Sequence, residues 1–347
     1  MTVESKPYPE ADHVKHLTGN RKTVGTERTT QSSANVAHGV MFHHFHGGSH
    51  PVGQGSISAE DLANLLEFVG PHRILSAREW LQRAIENRLN SEDVCLTFDD
   101  NLMCQFDIAL PVLQQFGLTA FWFAYTSVIE GKVEPLEVYR YFRTTQFESV
   151  DDFYKAFHEA IEGSSEAPLV RQQLRLFDSA TYLSECSFYS DSDRRFRFMR
   201  DEVLGPERYS AVMDRMIASA NLSHEELGRG LWIGAEQLRI LSGQEHVVGL
   251  HSHTHPTRLN RLSHGDQRAE YERNHAFVTQ TIGAPPRAMS HPCNSYNAST
   301  LAILKELGIE VGFRANMIWL PQYVDRSLEH PREDHADLMK QMCDSRV

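Results

Sequence analysis

The sequence predicts an α/β fold built around a parallel sheet. Short apolar runs alternate with helix-patterned segments, and the links between them are short. Clusters of acidic and imidazole side chains also follow directly on the apolar runs, where parallel α/β folds place their chemistry. The first run, residues 36–45 (VAHGVMFHHF), reads as a buried strand leading into a glycine-rich loop. Ser58 with Asp61 forms an S-x-x-D cap ahead of Leu62, Leu65, Leu66 and Val69 at helical spacing. Ser76 and Glu79 open a second helix in the same way, with Trp80, Leu81, Ala84 and Ile85 on one face.

Residues 94–98 (VCLTF) form a second strand that ends abruptly at Asp99-Asp100-Asn101. A helix follows through Phe106, Ile108, Ala109, Val112 and Leu113, stopped by Gly117, and the strand 118–125 comes straight after. Strand, helix, strand with short links is a βαβ unit, which requires parallel pairing. The rhythm returns late in the chain with strands at 246–250, 287–291 and 309–314. Between them lie a helix from Ser263 to Ile282, ending at Gly283, and a helix capped by Asn297 or Ser299 that ends at Gly308. From about 126 to 231 the rhythm stops in favour of several amphipathic helices. This stretch reads as a helical insertion that caps the site, or as a peripheral subdomain or dimer contact. Residues 1–35 are polar with no apolar periodicity and read as an N-terminal arm, leaving 36–347 for the main domain.

Composition excludes several classes. With 41% hydrophobic and 23% charged residues, the 347-residue chain has ample material for a core and is not disordered as a whole. A net charge of −12 argues against nucleic acid as the main partner, because phosphate binding needs a basic field. No stretch is apolar enough for a membrane span, and the start has no secretory h-region. Five cysteines without C-x-x-C spacing fit a reduced compartment, so the expected location is cytoplasmic. The 19 histidines matter through their placement.

Four clusters carry candidate chemistry. Thr97-Phe98-Asp99-Asp100 ends a strand in adjacent carboxylates, one able to bind a metal while the other contacts its water; a turn capped by Asp has the same appearance. His251-Ser252-His253-Thr254-His255-Pro256 places alternating histidines after a strand. Two imidazoles and a carboxylate leave open positions on a cation, the pattern of a catalytic metal site; a surface histidine tract is the plain alternative. Ser290-His291-Pro292-Cys293-Asn294-Ser295-Tyr296-Asn297 joins a strand end to a helix cap, where free N–H groups could bind an oxyanion. The segment 328–335 (LEHPREDH) mixes acids, bases and an arginine, and reads equally as a solvated charge run. His43, His44 and His46 follow the first strand, and His44 is the one expected to touch substrate.

TFDD, then H-S-x-x-H-P after a strand, then a proline-containing strand end, resembles in that order the polysaccharide deacetylase family, the NodB-homology fold of carbohydrate esterase family 4. The likeness covers roughly 36–125 and 232–340. It implies a distorted (β/α) barrel with a helical insertion, and a metal-dependent hydrolase that removes an acyl group from an amino sugar. Carried over by position, Asp100, His251 and His255 are the metal ligands and Asp99 the general base. A backbone N–H near Cys293 serves the oxyanion, with Tyr296 beside the same turn. The family's third motif has Arg and Tyr where this chain has Ser290 and Cys293, so Arg332 or Arg314 must substitute as partner of the base, or the base is tuned differently; Arg332 is also counted with Cys293, Tyr296 and His44 among the substrate or oxyanion residues. For the general acid, Leu328-Glu329-His330 matches the family's L-x-H, whereas His335 lies in a variant ending; His335 is the preferred reading.

The expected cofactor is one divalent ion, zinc first, with cobalt, nickel or iron also suited to the donors. The expected substrate is a small-molecule or lipid-linked N-acetyl amino sugar, nucleotide- or lipid-linked, of surface polysaccharide synthesis such as that of lipopolysaccharide. Oligomeric state is left open. Two other functions are compatible with the residues: hydrolysis of another C–N bond (ureide, cyclic imide or N-formyl) on the same fold, and metal or sugar binding without catalysis.

Overall fold

The computed structural model describes residues 36–183, 190–318, 320 and 326–345. The predicted N-terminal arm at 1–35 lies outside the described residues. Seven strands are present among those described: β1 His38–Phe42, β2 Val94–Phe98, β3 Phe121–Ala124, β4 Val247–Leu250, β5 Ala288–Ser290, β6 Val311–Phe313 and β7 Arg332–Asp334. All pair in parallel, in the order β6-β5-β4-β3-β2-β1-β7. The chain just before β7 nearly closes the sheet into a barrel. His330 bridges Phe313 in parallel, its N–H donates to Gly312 O at 2.8 Å, and Arg314 N–H donates to His330 O at 3.0 Å.

The helices are α1 Ala59–Val69, α2 Ala77–Ile85, α3 Leu110–Phe116, α4 Pro135–Thr145, α5 Val150–Glu162, α6 Ala167–Leu174, α7 Asp191–Phe198, α8 Gly205–Ser219, α9 His224–Gly228, α10 Ala235–Gly243, α11 His264–Ile282, α12 Ala298–Glu306 and α13 His335–Asp344. The sequence signals act locally as expected. Ser58 and Asp61 form a reciprocal capping box on α1, and Ser76 caps α2. Gly117 and Gly283 end α3 and α11 in the left-handed conformation, and of the two residues proposed to cap α12 it is Asn297 that does so. The helix expected from Phe106 onward begins instead with a π-helical turn over residues 105–109. β1 is shorter than its apolar run. β2 ends at Phe98, so beyond Phe42 the chain leaves the sheet and makes only an isolated parallel bridge, Phe45 to Ile57.

Strand side chains alternate between two cores. Val94, Leu96, Phe98 and Trp122 join Leu62, Leu65 and Leu113 between the sheet and its outer helices. Cys95, Phe121, Phe123, Ala288, Val311 and Phe313 face the barrel interior, where Trp80 of α2 plugs the amino end, its ring 5.1 Å from Phe313. The interior is tight: a Cβ on Gly249 would lie 2.6 Å from Ala288 O and 2.7 Å from the Phe123 ring. Helices α4–α9 build a separate aromatic core around Phe142, Phe153, Phe157 and Phe196. This insertion is tied to the barrel mouth by Met103 N–H to Leu231 O (2.7 Å), Ile233 N–H to Asn101 O (2.9 Å) and Gln54 Nε2 to Asp193 Oδ1 (2.9 Å).

Candidate active site

The carboxyl ends of β2, β4 and β5 converge on one cluster. Each chain reversal there uses left-handed backbone: Asp100 (φ 73°) after β2, Ser252 (φ 63°) and His255 (φ 55°) after β4, and Cys293 (φ 49°) after β5. Non-glycine residues rarely adopt this region, and such concentrations mark places where side-chain aim outweighs backbone comfort. Buried polar side chains support the turns. Gln105 Nε2 donates to Asp99 O (2.6 Å) and His43 O (2.8 Å), and Asn274 accepts from His251 N–H (3.0 Å) while donating to Ala124 O (2.9 Å).

Asp100, His251 and His255 present one ligand atom each, all within 4.8 Å of one another. Both Nε2 atoms are 3.3 Å from Asp100 Oδ1, and that oxygen is buried with no well-formed hydrogen bond among the described residues. An orphaned carboxylate oxygen facing two imidazoles fits a divalent cation. His251 is oriented for this by its other nitrogen, with Nδ1 3.0 Å from Ser290 O and 2.7 Å from Ser290 Oγ. Burial disfavours charge on both imidazoles. For His251 the carboxylates of Asp99 and Asp100 outweigh burial and raise its pKa, whereas His255 is left lowered. Burial opposes the charge of Asp100 too, but His255, His251 and His43 hold its carboxyl well below the usual range. His253, the middle member of the tract, turns away and bonds Thr126 Oγ1 at 2.9 Å.

Asp99 is 3% exposed and paired in bidentate fashion with Arg332: Nη1–Oδ1 is 2.7 Å and Nη2–Oδ2 is 2.8 Å. Burial alone would raise this carboxyl, but Arg332, followed by His251 and His43, brings it to about 2. Ser290 Oγ donates to Asp99 Oδ1 at 3.1 Å. Of the two arginines considered as partners of the base, the structure therefore brings Arg332 to it. Arg314 donates instead to Glu329 O and Asn316 O. Arg332, also expected among the substrate or oxyanion residues, is 1% exposed and bonds Asp99, Thr97 Oγ1 and Arg314 O, an arrangement that places it behind Asp99. Ser290, read as a departure in the third motif, links His251 to Asp99.

Other expected residues are placed differently. His44 is paired with Glu137 of α4, 3.0 Å from both carboxylate oxygens. The histidine that faces the carboxylates is its neighbour, His43. Its Nε2 lies 4.0 Å from Asp99 Oδ2 and 3.9 Å from Asp100 Oδ2, and its side chain is 29% exposed. β1 ends at Phe42, so strand alternation does not set which of the two imidazoles faces the mouth. His335 is buried against Phe42, with its nitrogens 3.3 Å from Met41 O and 3.2 Å from Gly55 O and Asp334 as its ion-pair neighbour. His330 packs edge-on against Trp80, toward the plugged end of the barrel. Tyr296 stacks on His291 and donates to Glu329 Oε1 at 2.8 Å, away from the cluster. Around Cys293, Asn294 N–H donates to His291 O and Ser295 N–H to Pro292 O; neither bond uses the Cys293 N–H.

A family model described as polysaccharide deacetylase matches residues 213–312, a span that includes His251, His255 and Ser290 but not Asp99 or Asp100. No curated protein matches the chain. Among solved structures, the chain is similar to the Streptococcus pyogenes deacetylase PplD in complex with acetate: 15% identity, 86% of this chain and 91% of that one, TM-score 0.50. It is also similar to IcaB from Ammonifex degensii, with 13% identity, 90% and 97% coverage and a TM-score of 0.50. At such identities the likeness is one of fold, and it agrees with the nearly closed parallel barrel and the resemblance read from the motifs.

Proposed function

We propose that this chain, a polysaccharide-deacetylase-type barrel by its family match and its fold, hydrolyses the N-acyl group of an amino sugar, most simply an N-acetyl group. The supporting observation is the pairing of a cation-ready triad (Asp100, His251, His255) with a neighbouring carboxylate held ionised by a buried arginine. A binding site needs only the triad. The second carboxylate, with its own dedicated counterion, favours catalysis over binding alone.

A divalent ion on Asp100, His251 and His255, zinc being the first choice for two imidazoles and a carboxylate, would polarise the amide carbonyl and acidify water at neutral pH. Asp99 takes the proton of the attacking water. Oδ1 accepts from both Arg332 and Ser290, whereas Oδ2 accepts from Arg332 alone among the described residues and so has the spare lone pair, and the low carboxyl pKa keeps the base ionised throughout the physiological range. The Cys293 N–H is the candidate donor to the developing oxyanion. The departing amine needs a proton, and His43 has the access for it: an imidazole at the mouth, partly solvent-exposed, beside both carboxylates. This assigns the general acid to His43 in place of His335 or His330.

The deciding experiment loads the protein with zinc, measures metal content, and follows amine release from N-acetylated amino sugars. Asp99→Asn should retain metal and lose roughly 10²–10⁴-fold in turnover. Retained turnover in Asp99→Asn, or no metal bound by the wild type, overturns the proposal. The surface-polysaccharide pathway and a cytoplasmic site of action are the setting this reading favours. Among the described residues no helix is long and apolar enough to cross a membrane.

A further inference from the structure

A cleft of about 820 Å³ opens between the insertion and the barrel, with the ligand histidine His255 on its wall. Its lining includes Arg140 and Arg143 of α4, Arg200 just after α7, and Arg258 from the loop after β4. Arg200 pairs with Asp201. The other three have no carboxylate at ion-pair distance among the described residues: Arg140 donates to Gln54 O at 3.2 Å, Arg143 lies over the Phe153 ring at 5.9 Å, and Arg258 is exposed. A chain with 46 acidic against 34 basic residues has carboxylates to spare, and elsewhere most of its arginines are paired. Arg140 shares the field of the Glu137 carboxylate, which leaves Arg143 and Arg258 as two guanidiniums without a carboxylate partner among the described residues on the wall of the cleft that holds His255.

The cleft also holds carboxylates, and each is accounted for. Glu137 bonds His44 and balances Arg140, and Asp201 pairs with Arg200. Glu134 caps α4 and accepts Glu137 N–H at 2.7 Å; burial, with Glu137 and Asp100 as like-charged neighbours, raises its carboxyl to about 7, so near neutral pH it carries reduced negative charge. Glu202 is exposed at the rim. Arg143 and Arg258 thus present positive charge in the cleft although the protein as a whole is acidic. A polyanion spread over the surface would be repelled, whereas a single anionic group inside the cleft would not.

We propose that Arg143 and Arg258, with Arg140 behind them, bind an anionic substituent of the amino-sugar substrate, a phosphoryl or carboxylate group, while its N-acyl group lies at Asp99 and Asp100. Guanidinium forks match either anion in bidentate geometry, so the side chains define the charge and leave its source to experiment. The inference rests on the deacylase reading and narrows it to charged substrates.

Zinc-loaded protein is assayed with N-acetylglucosamine, N-acetylglucosamine 1-phosphate and N-acetylmuramate, which carry no charge, a phosphoryl group and a carboxylate. The expected result is a kcat/KM at least roughly tenfold higher for one charged sugar than for the neutral one, through KM. Preference for the phosphate or the carboxylate identifies the source. Arg258→Gln, at an exposed position, should shrink that preference severalfold, and Arg143→Gln/Arg258→Gln should abolish it; thermal melts verify that both are folded. Equal turnover of neutral and charged sugars overturns the inference and leaves the deacylase reading standing. If no sugar releases amine, the deacylase reading fails and pyrophosphate binding by calorimetry decides the anion site. Binding weakened in Arg258→Gln supports an anion site, and no binding to wild type overturns it.

Discussion

Arg332 is the side chain on which the charge of Asp99 depends. It runs through the barrel interior to a carboxylate that burial would otherwise neutralise. Because the folded pKa of Asp99 is depressed, the pair contributes stability in full above the unfolded value near 3.8, and that contribution is lost as pH falls toward 2. Arg332→Leu leaves a buried carboxylate without its partner. The expected outcome is a loss of about 3–5 kcal/mol at neutral pH and an upward move of the acid limb of the pH–rate profile, read by denaturant melts and by kcat/KM against pH. At the mouth, His43→Gln should lower kcat roughly 10²–10⁴-fold with metal content unchanged, whereas His335→Gln, which loses contacts to two backbone carbonyls, should show mainly in the melt. Comparable kcat losses in both variants would return the acid role to His335. Asp99, Asp100, His251 and His255 are legible in the sequence because each follows a strand that announces itself. The choice between His43 and His44 is not, since alternation stops where β1 stops. Nor is the link made by Ser290, which depends on two strands meeting across the barrel.

At the scale of elements, the six strands with apolar runs and most of the capped helices can be read from the sequence, and β7 cannot. Its three residues, Arg332-Glu333-Asp334, look like a charge run, yet they pair with β1 while His330 bridges β6. Such a strand is stabilised by β1 on one side and by the buried Arg332–Asp99 ion pair, neither of which leaves a period in the sequence. The π-helical turn at 105–109 is equally silent, and it lies beside the functional centre: Gln105, buried there, holds the carbonyls of Asp99 and His43 together. β4 offers a direct check on how tightly the barrel is packed. Gly249→Ala forces a methyl to within 2.6 Å of Ala288 O and 2.7 Å of the Phe123 ring, both in the rigid interior. A cost of about 1–3 kcal/mol is expected, with Ser58→Ala on the α1 cap, at about 1 kcal/mol, as a surface reference. A Gly249→Ala melt no lower than that of Ser58→Ala would mean the strands can move apart.

For the whole molecule, acid sensitivity follows from histidines that the fold keeps neutral. His246 accepts Ala120 N–H at 3.0 Å and Trp122 Nε1–H at 3.2 Å through the same nitrogen, and burial lowers it to about 4. His291, stacked on Tyr296 and donating to Leu328 O, is lowered by burial to about 3. In the unfolded chain both return to about 6.5. Between pH 6.5 and 4 the unfolded state therefore binds more protons than the folded one, so stability is complete above 6.5 and falls as the solution is acidified through that window. His251 is shifted in the opposite sense and offsets part of the loss, so the total slope mixes terms of both signs. A substitution separates them. His246→Gln keeps an acceptor for the two N–H groups and removes the titration, while the other histidines stay as they are. Going from pH 7.5 to pH 5.0, the variant should lose about 1–2 kcal/mol less stability than the wild type, whatever its stability at the starting pH. Urea melts of both proteins at the two pH values measure this directly. An unchanged difference would show that His246 is free to take up a proton in the folded state, and that the β3–β4 junction it holds opens to water.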